Sequence, residues 1–250
     1  MTDLSGKVAL ITGAGHGIGR AIALRYASLG ADIVINYAHD ATEAETARAA
    51  VEAYGVRAVT VRADVSVPDD VTRLFRTTVD SFGNLDLVIL NAGLEHPGLP
   101  VADFTEEEFD RLFAVNTKGA YLTMQAAARH VADQGRIIYV SSSTTVYPMA
   151  GYGIHGGSKV APEYLVQVAA RELGPRGITV NGIRATATAG AGLHTDVKSD
   201  SPIREFVKDF NPMSRMGTLD DVANVAEFFA GPLSSYVSGQ LLLVSGGATA

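Results

Sequence analysis

A chain of 250 residues, 47% hydrophobic and 19% charged, can bury one sizeable core and is short for two ordinary domains. Its net charge of −7 without a basic stripe argues against nucleic acid or an anionic membrane as a partner, and the absence of cysteine excludes disulfides, thiolate metal sites and a cysteine nucleophile. Met1 to Lys7 lack the basic-then-apolar layout of a signal peptide, and no apolar run approaches a membrane span, so a cytoplasmic protein with no metal is expected.

Short apolar runs recur at Val8–Ile11, Ile33–Ile35, Ala58–Val61, Leu87–Leu90, Ile137–Val140, Ile178–Ile183 and Leu241–Val244. Several are apolar at every position, which suits strands buried on both faces of a parallel sheet. Between them, Ile18, Ala21, Ile22, Tyr26 and Leu29 share one helical face, and Gly30 follows as a stop signal. Ala41 to Tyr54 reads as a helix ending at Gly55. Thr105 with Glu108 reads as a capping box opening a long helix to about His130. Alternating strands and helices predict an α/β doubly wound sheet over residues 1–250, one dinucleotide-binding domain. The least regular stretch, about 185–215, carries Gly190, Gly192, Pro202 and Pro212 and is expected to form a substrate lid.

The first strand runs into Thr12-Gly13-Ala14-Gly15-His16-Gly17-Ile18-Gly19 and then a helix. Glycine serves where a backbone turns tightly or must approach a phosphate, and the helix start offers free N–H groups to a pyrophosphate. The spacing Gly13, Gly17, Gly19 after a threonine differs from the G-x-G-x-x-G of two-domain dehydrogenases. It resembles the short-chain dehydrogenase/reductase family, in its compact single-domain branch. Further segments match that family in order: Asp64-Val65 after the third strand, Asn91-Ala92-Gly93 after the fourth, Asn116 within a helix, Val180-Asn181 on the sixth strand and Ser245-Gly246-Gly247 near the end.

The resemblance covers essentially the whole chain. It implies a Rossmann-type seven-stranded parallel sheet with three helices on each face, bound NAD(H) or NADP(H), and a homodimer or homotetramer. Cofactor contacts are implied at Gly13, Gly15, His16, Gly17, Ile18, Gly19, Asn36, Tyr37, Ala38, Asp64, Val65, Asn91, Ala92, Gly93, Lys159 and Thr188. NAD-preferring sites put an acid at the end of the second strand to accept from the ribose 2′-OH. Here the strand ends Asn36-Tyr37-Ala38, with Asp32 at its wrong end and Asp40 beyond it. That favours NADP(H), with NAD(H) as the alternative; His16 and His39 are the nearby candidate cations.

Members of the family use a Ser, a Tyr and a Lys, with a helix Asn holding a proton-relaying water. The Tyr stands four residues before the Lys and thirteen after the Ser. In this chain the matching set is Asn116, Ser142, His155 and Lys159, so the proton donor is changed. A phenol with a reference pKa near ~10 becomes a shorter imidazole near ~6.5. Neighbouring ammonium charge pushes that ring towards its neutral form, which can still donate one N–H. Tyr147, Tyr152 and Tyr164 are the nearby phenols. Beyond the sixth strand the family's Pro-Gly is replaced by Ala185-Thr186, and Arg184 stands in the strand end, either to bind an acidic substrate or to reach solvent. Met149, Tyr152, Leu193, Phe206 and Phe210 are candidates for an apolar pocket wall.

These residues predict an NADP(H)-dependent oxidoreductase interconverting carbonyl and alcohol on a small organic substrate, with His155 in the proton-transfer position. Two alternatives stand beside it. One is a non-redox cyclase, dehydratase or isomerase using His155 as a base; the other is a catalytically silent dinucleotide-binding protein.

Overall fold

The computed structural model describes residues 2–96, 98–195, 207 and 210–248. Seven strands form one parallel sheet in the order β3-β2-β1-β4-β5-β6-β7: β1 Val8–Ile11, β2 Asp32–Tyr37, β3 Ala58–Arg62, β4 Leu87–Leu90, β5 Arg136–Ser142, β6 Thr179–Ala185 and β7 Leu241–Val244. The helices are α1 Gly17–Ser28, α2 Ala41–Glu52, α3 Pro68–Phe82, α4 Glu106–Phe113, α5 Ala120–His130, α6 Gly153–Leu173 and α7 Leu219–Ala230. The strand order reverses between β1 and β4, and that switch point leaves a crevice beyond the carboxyl ends of the strands.

Side-chain alternation along each strand feeds two cores. In β1, Ala9 and Ile11 join Ile22 and Tyr26 of α1, Ala47 of α2 and Phe229 of α7. Val8 and Leu10 point the other way, to Leu74 and Phe75 of α3, Met124 of α5 and Val166 of α6. A strand covered on both faces has no polar side to show, which is why these runs are apolar throughout.

The seven apolar runs each become a strand: β1, β4 and β7 match their runs, β2, β3 and β5 extend by up to three residues, and β6 starts at Thr179, one residue after its run, and ends at Ala185. Thr105 and Glu108 form the expected reciprocal cap on α4. The long helix expected from there to His130 is continuous but slips into a π turn at Ala114–Gly119. Helices α3 and α7 carry readable start signals, a proline in the first turn of α3 and a Thr218–Asp221 capping box on α7, although the sequence analysis did not single them out. The expected lid lies partly outside the described residues, as does Phe206. Among the described residues, no helix is long and apolar enough to cross a membrane.

Candidate active site

A cavity of about 940 Å³ opens at the switch point. One end is the glycine turn. Thr12 Oγ1 donates to the Ile89 carbonyl (3.2 Å) and accepts from the N–H groups of Asn91 (2.9 Å) and Ala92 (3.0 Å). Asn91 Nδ2 donates back to the carbonyls of Thr12 (2.9 Å) and Gly13 (3.0 Å). The loops after β1 and β4 are thus stitched together across the switch point. Asn36 commits its amide to the protein: Oδ1 accepts from the Gly13 N–H (3.2 Å), and Nδ2 donates to the carbonyls of Val61 (3.2 Å) and Ala63 (2.9 Å). Its contribution is to hold the turn against β3.

Gly19 lies behind the cavity lining, and a Cβ there would stand 2.5 Å from Asn91 Nδ2 and collide with the Gly13 carbonyl. The turn and helix α1 can approach this closely only without a side chain. The cap residue His16 makes no side-chain hydrogen bond to the helix start, so the first-turn N–H groups stay available to an anion. The other expected cofactor residues, from Gly13, Gly15, Gly17 and Ile18 through Tyr37, Ala38, Asp64 and Val65 to Asn91, Ala92, Gly93 and Thr188, line this same cavity. The residues present therefore fit a dinucleotide. Among the described residues no cluster suits a metal ion.

The other end of the cavity is set by β5 and α6. His155, Lys159 and Glu163 follow one another at helical spacing along the buried face of α6. Lys159 Nζ donates to the Val140 carbonyl (3.3 Å) and lies 5.5 Å from the centre of the Tyr139 ring. Burial pushes its pKa down to about 8, with Glu95 and Glu163 pulling against that. Gly93 leaves room for this ammonium, since a Cβ there would sit 2.8 Å from Nζ.

His155 is buried, and its Nδ1 edge faces the Leu94 carbonyl at 3.2 Å. Burial and then the Lys159 charge hold the imidazole below its ordinary pKa; Glu95 and the Leu94 hydrogen bond act in the opposite direction. Ser142 ends β5, and its Oγ accepts from Thr144 Oγ1–H (2.9 Å) and the Thr144 N–H (3.3 Å). Asn116 sits in the π turn, outside the lining. Its Nδ2 donates to the Leu94 carbonyl (2.9 Å) and Ser158 Oγ (2.9 Å), while its Oδ1 accepts from the Leu94 N–H (2.7 Å). The four residues expected to act together are thus joined, three on the cavity and Asn116 through Leu94. A π turn at this point is the backbone irregularity often found beside functional sites.

The three nearby phenols separate. Tyr164 is on the surface, and Tyr147 is buried with its hydroxyl on the Ala248 carbonyl. Tyr152 lies on the cavity edge-on to His155, ring centres 6.2 Å apart, and its pKa is raised by burial and by Glu95. Met149 and Phe210 also line the cavity. Arg184 is engaged within the fold. It pairs with Glu163, Nε to Oε1 at 2.9 Å and Nη2 to Oε2 at 2.6 Å. Ser141 Oγ (2.7 Å) and Thr145 Oγ1 (2.8 Å) donate to the same Oε1. Glu163, Leu94 and Glu95 shape this site without having been expected from the sequence. Only Glu163 carried a signal, standing one helical turn beyond Lys159.

A family profile described as Enoyl-(Acyl carrier protein) reductase matches residues 13–249. Versicolorin reductase 1 of Aspergillus parasiticus is 38% identical over 260 residues, covering 98% of this chain and 97% of that protein. A short-chain type dehydrogenase/reductase of Picea abies is 38% identical over 253 residues, covering 98% of this chain and 93% of that one. Among solved structures, a short chain dehydrogenase from Burkholderia cenocepacia in complex with NADP superposes with a TM-score of 0.91 at 36% identity, covering 98% of both chains. With the strand order, the stitched glycine turn and these likenesses together, the chain belongs to the short-chain dehydrogenase/reductase family of oxidoreductases.

Proposed function

We propose that the protein is an NADP(H)-dependent oxidoreductase that interconverts a carbonyl and an alcohol on a small organic molecule, with His155 at the proton-transfer position. The observation that carries this is a single cavity with the anion-binding turn at one end and Ser142, His155 and Lys159 at the other. The bound dinucleotide would supply hydride chemistry, held by the turn, Asp64 and the loop from Asn91 to Gly93. Around the reacting carbon, Ser142 orients the substrate oxygen, His155 handles its proton, and Lys159 supplies the positive charge behind them.

The choice of NADP(H) over NAD(H) rests on the end of β2. It offers Tyr37, Ala38 and His39 where an acid would repel a 2′-phosphate, and Asp40 is engaged in capping α2 through the Glu43 N–H (2.9 Å). The Burkholderia cenocepacia structure carrying NADP supports the same choice. We further propose self-association through the α4–α5 and α6 faces, where Phe109, Tyr121, Val160 and Tyr164 are exposed. The test of the activity is spectrophotometric. NADPH should be consumed with some member of a ketone panel, or NADP⁺ reduced with the matching alcohols, and turnover without any change in the dinucleotide would sink the proposal.

A further inference from the structure

We infer that the reacting end is built to select a hydroxyl group, with His155 Nε2 accepting the hydroxyl proton as a base and Ser142 Oγ donating to the same oxygen, so that alcohol oxidation is the direction the resting site favours. The inference rests on the proposed role of His155 in proton transfer and adds the direction in which it works.

The first observation is which ring nitrogen carries hydrogen. A carbonyl can only accept, so the 3.2 Å contact to Leu94 requires the hydrogen on His155 Nδ1. Leu94 is not free to move away. Asn116 engages both backbone polar groups of Leu94, accepting from its N–H at 2.7 Å and donating to its C=O at 2.9 Å. Asn116 is itself held by Ser158 and by the π turn. A neutral imidazole has one N–H, and here Leu94 takes it. Nε2 is then a bare lone pair. Among the described residues no protein group hydrogen-bonds to it, and His155 lines the cavity.

The second observation is the state of Ser142. Its Oγ accepts from the Thr144 N–H at 3.3 Å and lies 2.9 Å from Thr144 Oγ1. With Thr144 Oγ1 donating to it, the Ser142 hydrogen is free to turn to a ligand oxygen. The cavity therefore presents one donor and one acceptor to the reacting oxygen. An alcohol oxygen satisfies both, accepting from Ser142 and donating to His155. A ketone oxygen has only lone pairs, and turns one of them towards the lone pair of Nε2.

The step balances as a two-electron oxidation. The O–H proton passes to Nε2 and the C–H hydride passes to oxidised dinucleotide, leaving a carbonyl product, reduced dinucleotide and an imidazolium that returns its proton to solvent. The charged and titratable groups around His155 are Lys159 one turn along α6, Glu95 in the loop after β4 and Tyr152 at the start of α6. Glu163 stands behind Lys159, and Arg111 and His194 lie on the cavity wall. Burial and Lys159 keep the ring neutral at physiological pH.

One proton is released per alcohol oxidised, so the ratio of oxidation to reduction rate constants must rise about tenfold per pH unit. A neutral base puts that dependence on reduction, which needs the imidazolium. A protonated acid would put it on oxidation.

The test has two arms. Long-range nitrogen–proton NMR on the dinucleotide-free protein, with His155→Gln to assign the ring, should find Nδ1 protonated and Nε2 bare near neutral pH. Approaching about pH 7.5, kcat/KM for 1-phenylethanol or cyclohexanol with NADP⁺ should level off as the ring becomes fully neutral. For acetophenone or cyclohexanone with NADPH it should fall about tenfold per unit as pH rises. A protonated Nε2 on the neutral ring, or a flat reduction profile with the slope in oxidation, overturns the inference and leaves the role of His155 standing. Unchanged rates in His155→Gln, in a variant that still binds the dinucleotide, overturn that role and the inference with it.

Discussion

At position 155 an imidazole stands one helical turn before Lys159, and its surroundings decide what that ring can do. Burial and a neighbouring ammonium hold it neutral, and one peptide carbonyl fixes its tautomer. The residue was legible in the sequence because Lys159 four positions on marks the place. Its partner was not, because Leu94 acts through its backbone and lies 61 residues away. Gly19 was legible for the opposite reason, since the requirement there is for the absence of a side chain. Gly19→Val should abolish dinucleotide binding in calorimetry with no large loss of helix content, because the new atoms must displace Asn91 and the Gly13 carbonyl. Binding within a few-fold of the parent would contradict the packing described for the turn.

Among elements, α6 carries His155 and Lys159 to the cavity and needs anchoring. The Arg184–Glu163 pair supplies it, tying α6 to the ends of β5 and β6 with Ser141 and Thr145 completing the carboxylate's partners. Removing one member leaves a buried charge with too few partners. Arg184→Ala should lower unfolding stability by about 3 kcal/mol in denaturant titration, whereas the double variant E163M/R184M should recover most of that loss. A single variant as stable as the parent would show that the pair is not holding the helix. This pairing could not be read in advance, because Glu163 and Arg184 come together only when α6 packs on β6. The π turn at Ala114–Gly119 was equally hidden, since a one-residue slip of helical hydrogen bonding leaves no periodicity of its own.

The whole molecule shows why the sheet was easier to read than the site. Strands covered on both faces must be apolar along their length, so the seven runs declared themselves and their alternation with helices gave the layers. The cavity at the switch point follows from strand order, while its chemistry depends on loops whose hydrogen bonds bridge distant segments. Apolar side chains on α4, α5 and α6 remain exposed: Tyr121 at 40%, Val160 at 47% and Tyr164 at 68%. Light scattering at micromolar concentration should accordingly find a dimer or tetramer, and a charged substitution at Val160 should weaken it. A monomer would contradict the proposed use of that face.

The most direct test of the account is the steady-state rate of alcohol oxidation by NADP⁺ in the parent and in His155→Ala, with dinucleotide binding measured in both. Loss of a positioned proton-transfer group should lower kcat/KM by about 10²–10⁴ while binding is retained. An alanine variant that matches an active parent would contradict the assignment of His155, and Tyr152, edge-on to it in the cavity, would be the next residue to replace.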